Sequence, residues 1–88
     1  MEKVKFLTQE RCPKCDQLKT FFELGLRNQY KDVIVEIKRE VDRQEFALLV
    51  AKHRLTSTPV LIYKDNVLTD TAPTKVSAFL KEAGNNQN

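Results

Sequence analysis

The 88-residue chain has no tryptophan, two glycines, three prolines, two cysteines and a single histidine. So little glycine and proline excludes collagen-like and low-complexity architectures. No apolar run approaches the roughly 20 residues that a membrane-spanning helix needs. The first ten residues, MEKVKFLTQE, lack the apolar stretch and small-residue cleavage site of a secretory signal. A cytoplasmic protein with no membrane partner is therefore expected. Positive charge is only slightly in excess, at +3, and the lysines and arginines are scattered without a block or stripe. Such a distribution gives no electrostatic footprint for nucleic acid. With two cysteines and one histidine in the whole chain, a single copy falls short of the four ligands of a structural zinc site. No bound metal is expected.

What remains is ordinary globular composition, 41% hydrophobic and 31% charged, which excludes a disordered chain. Eighty-eight residues make one domain with a modest core. Lys3 to Thr8 reads as a strand. Pro13 suits the first position of a helix, where its missing N–H costs nothing. Cys15, Leu18, Phe22 and Gly25/Leu26 then share one helical face, and Gly25 is expected to close that helix in a left-handed cap. Asp32 to Lys38 is the strongest strand signal. Asp42 and Glu45 have capping-box spacing, followed by Phe46, Leu49, Val50 and His53 on one face. Val60–Tyr63 and Val67–Thr69 flank a turn at residues 64–66 and read as a hairpin. Pro73 opens a last helix with Val76, Phe79, Leu80 and Ala83 inward and Gly84 as its stop. The order is β-α-β-α-β-β-α, an α/β domain over residues 1–84. Residues 85–88 read as a disordered polar tail. The first two strands, joined by a helix, should be parallel with a right-handed crossover.

Cys12 and Cys15 are too close to staple a fold, because a bridge between them removes little chain entropy. The pair is therefore read as chemical, with inert surface thiols as the bland alternative. Cys12 falls at the N-cap of the first helix and Cys15 one turn in. Free N–H groups and the positive helix end stabilise a thiolate at Cys12. Arg11 and Lys14 push the same way. Cys12 is expected to be the exposed thiol, with a lowered pKa, and Cys15 the more buried one. That spacing lets Cys15 attack a mixed disulfide formed on Cys12.

Cys12-Pro13-Lys14-Cys15 after the first strand, and Thr56-Ser57-Thr58-Pro59-Val60 at the third, resemble the thioredoxin-fold superfamily and its small glutaredoxin-like members. The similarity of layout covers about residues 3 to 83. It implies a single-domain thioredoxin fold, with a four-stranded mixed sheet flanked by three helices. It implies a cis peptide bond at Thr58-Pro59 facing the redox pair, and a Thr58 backbone that pairs with an extended substrate segment. It also implies a substrate surface made by Pro13, Thr58, Pro59, Thr69 and Asp70. The activity implied is thiol-disulfide exchange by a monomer, reducing protein or small-molecule disulfides, with no bound cofactor. The reductant would be a flavoprotein reductase or glutathione.

Several positions depart from that pattern. Glutaredoxins usually carry a cation where this chain has Gln9, and Gly-Gly where it has Thr69-Asp70. Asp70 places negative charge where a glutathione carboxylate would sit, so the sequence leans against glutathione. Thr71 is a candidate cap for the last helix. The buried acid of thioredoxin has no clear counterpart, and Glu36 is expected at a solvated edge. Two other function classes stay open. One is a catalytically weak binding module on the same fold. The other is a dimeric metal or iron–sulfur carrier bridged through Cys12.

Overall fold

The computed structural model describes residues 2–85. Four strands and three α-helices alternate as expected: β1 (Val4–Thr8), α1 (Pro13–Thr20), β2 (Ile34–Lys38), α2 (Arg43–His53), β3 (Val60–Tyr63), β4 (Asn66–Leu68) and α3 (Pro73–Asn85). The sheet order is β2-β1-β3-β4. β2 runs parallel to β1, and β3 is antiparallel to both β1 and β4. This is a single small α/β domain with a mixed sheet.

Side chains alternate across the strands, which divides the core in two. Val4, Phe6, Leu61 and Tyr63 face α1 and α3 and pack with Leu18, Val76, Leu80 and Ala83. Leu7, Ile37, Val60 and Ile62 face α2 and pack with Leu49, Phe46 and Val50. The apolar faces read from the sequence are thus the faces that are buried. Phe79 of α3 and Phe22 and Leu26 beyond α1 are partly buried against the first cluster.

Two predicted helix ends and one predicted capping bond differ from the structure. After α1 the chain widens into a π-helical turn, Phe21–Gly25. Gly25 is not left-handed; Arg27 and Asn28, at φ 52° and 57°, make the reversal instead. Asn tolerates that region because its short side chain can bond locally. Asp42 sits at the N-cap of α2 but its carboxylate does not cap it. It turns back to accept the Lys38 N–H at 3.0 Å, closing the turn that enters the helix. Gly84 does not stop α3, which continues through it to Asn85. Its missing side chain leaves room for Tyr30, whose Cε1 would lie 3.3 Å from a Cβ there. Residues 86–88 of the expected tail lie outside the described residues. Among the described residues no helix is long and apolar enough to cross a membrane.

Leu61 is 0% exposed on a strand paired along both edges. Leu61→Ala should therefore lower unfolding free energy by about 2–5 kcal/mol. A denaturant midpoint unchanged from the native protein would contradict this placement of the core.

Candidate active site

β1 delivers the chain to the site. It ends at Thr8, crosses a short loop, and reaches Cys12 at the start of α1. Arg11 adopts φ 54°, which turns the chain just before Cys12. Cys12 is extended at the N-cap (φ −118°, ψ 92°), and Pro13 takes the first helical position. The N-cap side chain of a helix normally accepts an N–H from its first turn. Here the acceptor is sulfur: the Cys15 N–H donates to Cys12 Sγ at 3.2 Å. Both sulfurs are joined in a Cys12–Cys15 disulfide with Cα atoms 5.2 Å apart. Cys12 is 7% exposed and Cys15 1%. Cys15 is the more buried of the two, as expected, but Cys12 is itself buried and not the exposed thiol read from the sequence.

The Thr58-Pro59 bond is cis. Thr58 lies against the disulfide, 46 residues from Cys12 in the chain. Its carbonyl oxygen lies 3.8 Å and its hydroxyl 3.6 Å from Cys12 Sγ. A disulfide sulfur has no proton to give, so in this state only the Thr58 hydroxyl can donate. The sulfur therefore faces two donors, a backbone N–H and a hydroxyl. Both would also serve a thiolate.

Next to Thr58 lies an open cavity of about 430 Å³, and neither cysteine lines it. Lys14, Thr58, Pro59, Thr69 and Asp70, five of the residues singled out from sequence, line it together. Pro13 and Arg11 are exposed and lie outside it. Asp70 is not a bare charge. Its Oδ2 accepts from Lys75 Nζ at 2.6 Å and its Oδ1 from the Ala72 N–H at 3.2 Å. Those two partners hold its carboxyl below the usual range. The Val76 N–H bonds the Ala72 carbonyl, so Ala72 occupies the N-cap of α3 and Asp70 receives the free N–H there. Thr71, the expected cap, instead lines the cavity.

Two residues near the site were not foreseen. Arg39 and Glu40 follow β2 and sit beside the loop that precedes Cys12. Arg39 Nη1 donates to Gln9 Oε1 at 3.3 Å, which brings a guanidinium to the position where the sequence shows no cation. The parallel register, Thr8 opposite Lys38, would have pointed to both residues had it been carried one step further.

Glu36 is on an edge strand, as expected, but it is half-buried rather than freely solvated. It lies on the α1 side of the sheet, where its Oε2 accepts from the buried Thr8 hydroxyl at 2.6 Å and pairs with Lys19 Nζ at 2.9 Å. Burial pushes its carboxyl up, but the Thr8 hydrogen bond and Lys19 outweigh burial and hold it below the ordinary value of 4.5. Among the described residues, no three His, Cys, Asp or Glu side chains gather in a way that could hold a metal ion.

Compared with known proteins, the chain matches no family model, no curated protein and no solved structure.

A carboxyl with a lowered folded-state pKa adds stability above its unfolded pKa, and that stability is lost as pH falls through the folded value. The denaturant midpoint of the native protein should therefore fall more steeply than that of Glu36→Gln between about pH 5 and about pH 3. Parallel curves would show that the Thr8 and Lys19 contacts do not hold Glu36 in solution.

Proposed function

We propose that this chain is a thiol-disulfide oxidoreductase on a thioredoxin-like fold, working in the reducing direction. One observation carries the reading. A cysteine sulfur caps a helix, is bonded to a fully buried cysteine one turn on, and lies 3.6 Å from the hydroxyl of Thr58, which itself lines an open cavity. A structural crosslink has no need of that environment, since so short a loop restrains the unfolded chain very little.

In the reduced state Cys12 is the nucleophile. The Cys15 N–H, the helix start and the Thr58 hydroxyl stabilise its thiolate, and Lys14 and Arg11 add positive charge. The thiolate attacks one sulfur of a substrate disulfide, forms a mixed disulfide and expels the other sulfur as a thiolate, which takes up a proton. Cys15 then loses its proton, attacks Cys12 Sγ and releases the second substrate sulfur. Two electrons and two protons pass to the substrate, and the chain is left as the Cys12–Cys15 disulfide. A flavoprotein reductase or glutathione supplies the two electrons that restore the dithiol.

The substrate is a disulfide-bearing protein segment. Thr58 and Pro59 lie at the sulfur, and an extended segment can pair with the Thr58 backbone and set its own sulfur in line. Pro13, Thr69 and Asp70 form the surrounding surface. Arg39, joined to Gln9, gives that surface a cation on the α2 side.

Cys12→Ser should abolish reduction of a disulfide substrate. Cys15→Ser should accumulate a mixed disulfide on Cys12, seen by mass spectrometry as the protein plus one substrate half. Turnover in the first variant, or free substrate thiol with no adduct in the second, would remove the assigned roles.

A further inference from the structure

The loop between β1 and Cys12 is held by two consecutive residues of a different element. The Arg39 N–H donates to the Thr8 carbonyl at 3.0 Å, which extends the β1–β2 ladder by one bond. Arg39 Nη1 donates to Gln9 Oε1 at 3.3 Å. Glu40 Oε1 accepts the Glu10 N–H at 2.6 Å, the shortest of the three. Thr8, Gln9 and Glu10 are thus pinned in sequence, and the only residue left before Cys12 is Arg11, which turns left-handed.

The pinning turn is itself closed. Val41 and Asp42 N–H groups both bond the Lys38 carbonyl, at 3.1 and 2.7 Å. The Asp42 carboxylate accepts the Lys38 N–H, and Arg43 Nε reaches the Glu40 carbonyl at 3.4 Å. Glu40 is therefore a carboxylate on a rigid mount. Its other oxygen, Oε2, is buried with no hydrogen-bond partner among the described residues. A buried acceptor without a donor costs stability. A shorter or apolar residue would spare this turn that cost, but it would release the Glu10 N–H.

We propose that Glu40 is a positioning residue for Cys12. By fixing Glu10, it fixes where Arg11 turns and so where Cys12 Sγ stands relative to the Cys15 N–H and the Thr58 hydroxyl. This rests on the reading of Cys12 as the nucleophile. Charge is a separate matter. Glu10, Arg11, Lys14, Arg39 and Arg43 lie in the same stretches of chain, and removing the negative charge of Glu40 would by itself favour the thiolate. Position and charge therefore act in opposite directions, and variants can separate them.

The test is the pH midpoint of Cys12 alkylation in the fully reduced protein, for the native chain, Glu40→Gln, Glu40→Asp and Glu40→Ala. Glutamine keeps the acceptor and loses the charge. Aspartate keeps the charge and falls one methylene short. Alanine loses both. The expected result is a midpoint raised by about half a unit to one unit in Asp and Ala, a three- to tenfold loss of thiolate at fixed pH below it. Gln should stay with the native protein or below it. Midpoints of Gln and Ala that fall together would assign the effect to charge and overturn the proposal, as would four coincident midpoints. Hydrogen exchange at the Glu10 amide of the native protein supplies a readout that needs no variant to fold; slow exchange is expected, and exchange at the rate of an open loop would overturn the proposal. Disulfide reduction by the native chain is measured alongside. If it is absent while the predicted ranking of midpoints holds, the catalytic reading falls and the positioning stands. If it is present while the midpoints coincide, only the positioning falls.

Discussion

Strand β1 is bonded along both of its edges, parallel to β2 on one side and antiparallel to β3 on the other. That double pairing decides where everything else in the molecule meets. Because β2 is parallel, its C-terminal end reaches the same edge of the sheet as the C-terminal end of β1. Because β3 is antiparallel, its N-terminal end arrives there too. The loop into Cys12, the Arg39–Glu40 turn and the Thr58-Pro59 segment are therefore brought to one edge by strand direction alone. Leu7 and Val60, opposite each other near that edge, are almost completely buried, which fixes the register close to the sulfur.

At that edge the sulfur of Cys12 does the work usually done by a serine or aspartate oxygen at a helix start. A residue in that place meets N–H groups that the helix leaves unbonded. Sulfur is a weak acceptor as a thiol and a strong one as a thiolate, so the same geometry that caps the helix favours the charged form. Thr58 adds a hydroxyl from across the sheet. The helix thus gains a cap, and on the proposed reading the sulfur gains reactivity from the same arrangement. Cys15, facing the core, is the more buried of the two.

Much of this was legible from the residues alone. The strand segments and the apolar faces of three amphipathic helices were readable, and the structure shows which strand residues those helices cover. Pro13 beside Cys12 located the helix start, and a simple period placed Cys15 and Leu18 inward. What escaped the sequence was of two kinds. Local rules failed where a neighbour overruled them: Asp42 does start its helix, yet its carboxylate takes the Lys38 N–H instead of capping, and Gly84 reads as a stop until Tyr30 is seen beside it. Contacts failed where they join distant elements. Nothing near Arg39 or Glu40 marks them as partners of the loop before Cys12, and nothing near Glu36 announces Thr8 and Lys19. Such pairs depend on register, which the pattern of hydrophobic residues sets only after the strands are aligned.

If Cys12 is the nucleophile proposed above, the helix start and Thr58 activate it once the disulfide is opened. The most direct measurement is the alkylation rate of Cys12 against pH in the fully reduced native protein, with each cysteine followed separately by mass spectrometry. The midpoint is expected well below the value near 8.5 of an unperturbed thiol, with Cys15 unreactive over the same range. A midpoint at or above that value, or equal reactivity at the two sulfurs, would contradict it.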